Sequence, residues 1–156
     1  IFGTEFEFAI RTQLNQAEIS ATGGYTYIYP RDLSNKTADE ITFLKYRRKH
    51  SAKLYVNSTW KKFSLGSGLN IRSEILNIDD VFLNPLTAEL FLPGFQTYWS
   101  NNNKWYAVLD ASAGYSISPK LTLSFAVKNL TNTEYMSRPG DIQPHMNFSL
   151  RFSGKF

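Results

Sequence analysis

Apolar and polar residues alternate with a period of two along most of the chain. That period belongs to strands whose two faces meet different surroundings. Seven runs carry it. In the first, Phe2, Phe6, Phe8, Ile10 and Leu14 share a face opposite Glu5, Glu7, Arg11 and Gln13. In the second, Ile19, Ala21, Tyr25, Tyr27 and Tyr29 oppose Glu18, Ser20, Thr22 and Thr26. The third places Ala52, Leu54, Val56 and Trp60 opposite Lys49, Lys53 and Asn57, and the fourth runs from Phe63 to Ile75. The fifth spans Trp105 to Ile117, the sixth Leu121 to Lys128, and the last His145 to Phe156. Arg48 alone among the charged residues of these runs falls on the apolar face. It stands at a strand end, where an interface can hold it.

The connections alternate in length. Leu14-Asn15-Gln16-Ala17, Thr59–Lys62 and Ser118-Pro119-Lys120 suit tight turns; the first would pair Thr12 with Ile19, Ile10 with Ala21 and Phe6 with Tyr25. The others, about Pro30–Leu44, Leu76–Asn103 and Thr131–Pro144, are long and carry prolines, glycines and the Ser100-Asn101-Asn102-Asn103 run. Asn84-Pro85 predicts one helical turn to Leu90, because Asn caps and Pro suits the first helical position.

The polar face decides between architectures. It is crowded with Ser, Thr, Asn and Gly (Gly24, Gly66, Gly68, Gly114), a poor charged exterior for a water-soluble sandwich but suited to a watery lumen. Apolar outside, polar inside, strands of about ten residues, and short turns alternating with long loops define a transmembrane β-barrel. The fold class expected is therefore all-β, an antiparallel transmembrane barrel segment of about seven strands. Single-chain bacterial barrels have an even strand count, so this reading expects at least one more strand upstream.

Composition agrees. Of the 156 residues, 15% are aromatic and only 19% charged, against about 25% in ordinary globular proteins. No stretch approaches the ~20 apolar residues of a membrane helix. With no cysteine and two histidines, disulfides, thiol chemistry and cysteine–zinc sites are excluded. The net charge of +4 is dispersed, with no basic run longer than Tyr46-Arg47-Arg48-Lys49, so nucleic acid is not an expected partner. No catalytic constellation is present and no cofactor is expected; Asp79-Asp80 reads as a solvated loop pair.

Several segments resemble one family. Val127-Lys128-Asn129-Leu130-Thr131-Asn132-Thr133-Glu134-Tyr135 is similar to the N-L-x-(N/D)-x-x-Y segment before the last strand of TonB-dependent outer-membrane receptors. Pro139-Gly140 and an aromatic strand to Phe156 follow it, as in that family's ending. Gly3-Thr4-Glu5 resembles the G-x-E of a late strand. Tyr46-Arg47-Arg48-Lys49-His50 resembles its Y-R-P-x-H strand entry, with Arg48 where Pro is common.

The resemblance implies that residues 1–156 are the C-terminal third of a 22-stranded barrel, with the plug domain and TonB box upstream. It implies energised uptake of a scarce bulky ligand: a metal chelate, cobalamin or a glycan. Partners would be outer-membrane lipid and lipopolysaccharide, TonB through the upstream region, an extracellular lipoprotein or ligand, and the barrel assembly machinery. The last would read Phe148, Leu150, Phe152 and Phe156. Arg47, Lys53, Arg72, Asp110, Lys128 and Arg151 are expected to face the lumen or plug. Phe91, Phe95, Tyr98 and Trp99, with Phe82, are expected as exposed loop rings able to stack on a ligand. A passive porin shares the pattern but needs no plug. A soluble ligand-binding calyx needs the apolar face inside.

Overall fold

A run of period two is useful to its neighbour only in a register that keeps like faces together. In the computed structural model, which describes residues 1–34 and 42–155, every pairing does so. Seven strands, β1 (Phe2–Leu14), β2 (Ala17–Tyr29), β3 (His50–Trp60), β4 (Phe63–Arg72), β5 (Tyr106–Ser118), β6 (Leu121–Lys128) and β7 (Asn147–Gly154), form one antiparallel sheet in chain order. Thr12 faces Ile19, Ile10 faces Ala21 and Phe6 faces Tyr25, the register expected from the alternation. A continuous row, Trp60–Phe63–Tyr115–Leu123–Phe152, then crosses five strands on the apolar face.

Two-residue turns join β1 to β2, β3 to β4 and β5 to β6. Asn15 and Lys61 open the first two with left-handed backbones, φ 54° and 53°. Asn tolerates that region; Lys accepts it at a cost. Two glycines permit close approach in β1 and β2. A Cβ on Gly3 would collide with the Tyr27 carbonyl, and the Phe8 ring lies where a Gly23 side chain would stand.

Among the described residues the sheet has no second layer and is not closed. Its apolar face is open: Phe6, Ile10, Leu65, Phe148, Leu150 and Phe152 are all exposed. The buried hydrophobic cluster lies instead at the end of the long connections, where Ile75, Ile78, Phe95 and Met136 pack with Tyr46, Phe82, Leu92, Tyr98 and Trp99. No helix of the described residues is long and apolar enough to cross a membrane.

Three expectations change. The fourth strand ends at Arg72, not Ile75. Ser73, fully buried, accepts the His50 N–H through its hydroxyl (3.1 Å), and Ile75 turns into the loop cluster. The helical turn at Asn84 exists as α2 (Pro85–Phe91), with the Asn84 side chain accepting from Leu86 N at 3.0 Å. It is flanked by α1 (Asp80–Leu83) and α3 (Phe95–Asn102), which the pattern did not predict. The last strand begins at Asn147, because Met146 N donates to Asn132 Oδ1 (2.9 Å) rather than to the ladder.

Candidate functional site: the polar face and its loops

Alternation places Lys53, Arg72, Asp110, Lys128 and Arg151 on one face, and the observed register keeps them there. They do not form one cluster. Lys53 pairs across β2 with Glu7 at 3.0 Å. Glu5, two residues away, accepts from Thr26 Oγ1 at 3.1 Å. Asp110 takes Lys128 Nζ at 2.7 Å and the Asn129 backbone N–H at 2.9 Å. Arg151 stands on β7 opposite Ser124. Arg47 is not on a strand. It lies in the coil before β3, its carbonyl accepting from Leu76 N, and lines a loop cavity with Lys45, Phe82 and Arg138.

Where β4, β5 and β6 meet the β6–β7 connection, the polar face is walled into a cavity of about 470 Å³. Arg72, Tyr106, Asp110 and Lys128 come from the strands; Tyr135 and Gln143 come from the connection. Tyr135 stacks on Tyr106 with centroids 4.5 Å apart. Arg48 lies 5.1 Å from the centre of the Tyr106 ring. Its guanidinium donates to the Ser73 carbonyl and to the Met136 carbonyl (3.2 Å), tying three connections together. Burial pushes the Arg48 pKa down from its ordinary value, the Tyr106 hydroxyl opposing and Arg72 adding to the shift. The charge therefore depends on its two carbonyl partners and the ring face for compensation.

The connection is held by one residue that pattern reading passed over. Asn129 is 4% exposed with φ 53°. Its amide donates to the carbonyls of Thr133 (2.8 Å) and Pro144 (3.0 Å), and its Oδ1 accepts from Thr133 N (2.9 Å). Thr133 Oγ1 donates to the Ala107 carbonyl (2.8 Å). The sequence signal was in view, since Asn129, Asn132 and Tyr135 are the polar positions of the family-like segment. Each now has a structural task.

The rings of the Asp79–Asn103 connection divide. Phe91 is 63% exposed, whereas Phe95 is 4% exposed, so Phe95 does not offer a free ring. It packs against Phe82 (5.5 Å) and Trp99 (5.5 Å), and Tyr98 and Trp99 lean on the same cluster. Among the described residues the buried Tyr98 hydroxyl has no hydrogen-bond partner at ordinary distance; burial raises its pKa, and nearby Glu134 adds to the rise. Asn103 clamps the end of the connection through Ile75 N (2.8 Å) and Ile75 O (2.9 Å). At its start, Asp79 accepts from Tyr46 Oη and pairs with Lys45 at 3.1 Å. On β7, Phe148, Leu150 and Phe152 point outward, Phe148 stacking on Phe125 at 6.1 Å; Phe156 lies outside the described residues. Among the described residues no group of His, Cys, Asp or Glu could hold a metal ion.

A one-layer sheet, apolar on one side and polar on the other, tight-turned at one end and looped at the other, is the wall of a membrane barrel. The family described as TonB dependent receptor-like, beta-barrel, matches residues 1–130, and the chain belongs to it. That membership places it in the bacterial outer membrane. Two solved structures share the fold. One is the ferric-catecholate import receptor Fiu from E. coli K12, in its closed form. It has a TM-score of 0.62 and 17% identity, and the match covers 99% of this chain and 22% of that one. The other is the siderophore receptor PiuA from Acinetobacter baumannii, with a TM-score of 0.58 and 18% identity; the match covers 97% and 21%. The chain thus spans about a fifth of the length of these structures. No curated protein sequence matches it.

Proposed function

We propose that the chain forms the closing part of the barrel of an outer-membrane active transporter, which takes up a scarce bulky ligand with energy supplied through TonB. The observation that carries this reading is the junction at the loop end of the polar face. Two long connections share one apolar cluster through Ile75, Phe95 and Met136 while one of them walls a cavity over the lumen side. Loops packed on each other hold a fixed shape at the end of the barrel. A receptor needs such a mouth, because function rides on loops held by a rigid scaffold.

Charge at that mouth favours an anionic ligand among those the family takes up. Arg47 and Arg138 line one cavity and Arg72 the other without a carboxylate at salt-bridge distance among the described residues, whereas Lys45 and Lys128 beside them are paired with Asp79 and Asp110. Phe91 is the ring free to stack on it. The lumen-facing charges Lys53, Arg72, Asp110, Lys128 and Arg151 then contact a plug or solvated ligand path. Membership in the family implies TonB as a partner. The outward β7 residues Phe148, Leu150 and Phe152, with Phe156, suit strand addition by the barrel assembly machinery.

The test is uptake of labelled ferric chelates, cobalamin and oligosaccharides by cells carrying the full-length receptor. Uptake of one ligand class that stops when TonB is removed is the expected result. TonB-independent, size-limited flux would instead identify a passive porin and overturn the proposal.

A further inference from the structure

The charge of this chain is not spread evenly along the barrel axis. Within four residues of the tight turns, or of the end of β7, lie Arg11, Lys61, Lys62, Lys120, Arg151 and Lys155, opposed only by Glu18. That surplus of five exceeds the net charge of the whole chain, +4, so the remainder is slightly acidic. Arg11 and Glu18 face each other at 3.5 Å. Lys61, Lys62 and Lys120 are exposed and have no carboxylate within salt-bridge distance among the described residues.

The same end carries an aromatic row on the lipid face. Trp60 and Phe63 stack at 6.3 Å, and Phe63 meets Tyr115 at 4.9 Å. Rings of this kind sit at headgroup depth. Lys61 and Lys62 follow and precede two of them directly, and Lys61 Nζ lies 4.9 Å over the Trp60 ring. Its ammonium is therefore turned toward the lipid side of the wall, not into the lumen. Lys62 O accepts from Ser116 N, and Lys120 O from Lys155 N, both at hydrogen-bond distance, so the two turns are held against neighbouring strands. Adjacent strands are about 4.8 Å apart, and β5 runs three residues past the Tyr115 that pairs with Phe63, so the β3–β4 and β5–β6 turns stand roughly 14 Å from each other. The Debye length at physiological salt is about 8 Å, so the lysines meet neighbouring headgroups as separate charges on one rim of the barrel.

We propose that Lys61, seated over Trp60 of the Trp60–Phe63–Tyr115 row, together with Lys62 and Lys120 on the same turn end, forms a binding surface for anionic phospholipid headgroups at that end of the barrel. Phosphate is the complementary group: it accepts from ammonium donors, and lipid delivers it at the depth that the rings define. Each lysine near an anionic surface is worth about a fivefold change in partition. The proposal rests on the barrel spanning a membrane and not on what it transports.

The test reconstitutes the full-length receptor in nanodiscs of phosphatidylethanolamine with a minor share of phosphatidylglycerol. Spin-labelled phosphatidylglycerol and phosphatidylcholine report the motionally restricted lipid shell. Wild type is expected to hold the anionic probe several-fold more than the zwitterionic one, and 0.5 M salt to reduce the preference. The triple Lys→Gln variant at 61, 62 and 120 should lose most of it. The triple Lys→Arg variant should keep it, as should a control neutralised at Arg31, Lys104 and Arg138 on the loop end. No anionic preference in wild type overturns the proposal and leaves the patch to an acidic periplasmic protein. Equal loss in the loop-end control overturns it too. A Gln variant that keeps the preference overturns it as well, and should the triple variant fail to insert, the single Lys→Gln variants at 61, 62 and 120 read the same loss in smaller steps.

Discussion

Replacing Leu109 by Arg tests the assignment of faces most directly. On β5 the apolar face runs from Trp105, one residue before the strand, to Tyr115. Ten residues at about 3.3 Å each span ~33 Å along the strand; a tilt of about 40° brings the height to ~25 Å, the thickness of a barrel's apolar band. The two rings thus mark its edges, and Leu109 lies within one residue of the midplane, in a lateral row with Leu69 and Leu54. Arg at that depth should cost about 2–4 kcal/mol, a roughly 30- to 900-fold shift in the folding equilibrium. Its neighbour Asp110 points the other way. Asp110→Asn keeps an oxygen for the Asn129 N–H and loses a charge pair with the exposed Lys128, worth about 0–1 kcal/mol. Denaturant titration of the full-length receptor in lipid vesicles measures both. Spin labels at Leu69, Leu109 and Phe125 should meet lipid-soluble quenchers; labels at Asn70, Asp110 and Ser124 should not. An Asp110→Asn cost equal to or above that of Leu109→Arg would mean that the faces are assigned backwards.

Four further outcomes are expected. Phe95→Ala should cost about 3–5 kcal/mol locally and open the β4–β5 and β6–β7 connections to protease together, while Phe91→Ala should change stability by less than about 0.5 kcal/mol; protection of both loops in Phe95→Ala would refute a shared cluster. The Tyr46 hydroxyl and then Lys45 hold the Asp79 carboxyl below its ordinary 3.8. The anchor it contributes is accordingly complete above that value and is lost as pH falls through the lower folded pKa, so hydrogen exchange near Asp79 should quicken below about pH 4 and not in Asp79→Asn. Asn129→Ala loses its side-chain hydrogen bonds and must hold a left-handed backbone, about 2–4 kcal/mol in all, and Asn129→Gly should recover the backbone share; equal proteolysis rates for the β6–β7 connection in both variants would assign everything to the hydrogen bonds. Deleting Phe156 should reduce inserted, heat-modifiable barrel more than it lowers the melting temperature of what inserts; unchanged membrane levels would remove its role as an assembly signal.

The strands were legible because each face answers to a different solvent. An error of one residue in register moves a whole set of side chains into the wrong one, so the alternation near Ile10 and Ile19 is enough to place Thr12 against Ile19. Arg48 was legible for the same reason, as the charge on the wrong face, and the structure supplies the carbonyls and ring that compensate it. The connections follow no such rule. Phe95 is buried and Phe91 exposed although Phe91 is the one flanked by Leu90 and Leu92, because loop packing depends on Met136, which is distant in sequence and has no period to announce it. The α1 and α3 turns are too short to show a helical repeat. Arg47 has the lumen parity yet leaves the strand, since the ladder yields to loop bonds beyond His50.

The segment from Lys128 to Tyr135 shows how a motif can be recognised before its mechanism is visible. Its Asn, Asn and Tyr positions stand out in the sequence as a signature, and nothing in their spacing says what each does. In three dimensions, Asn129 turns the chain out of β6 through a left-handed residue and satisfies the carbonyls this frees. Asn132 ends the pairing of β7 by taking the Met146 N–H. Tyr135 returns the chain to the wall by stacking on Tyr106, whose other neighbour is Arg48. Arg48, itself in the β2–β3 connection, in turn holds the carbonyls of Ser73 and Met136, which belong to the β4–β5 and β6–β7 connections. The β4–β5 and β6–β7 connections are thus joined to the cavity on the polar face through side chains already in contact.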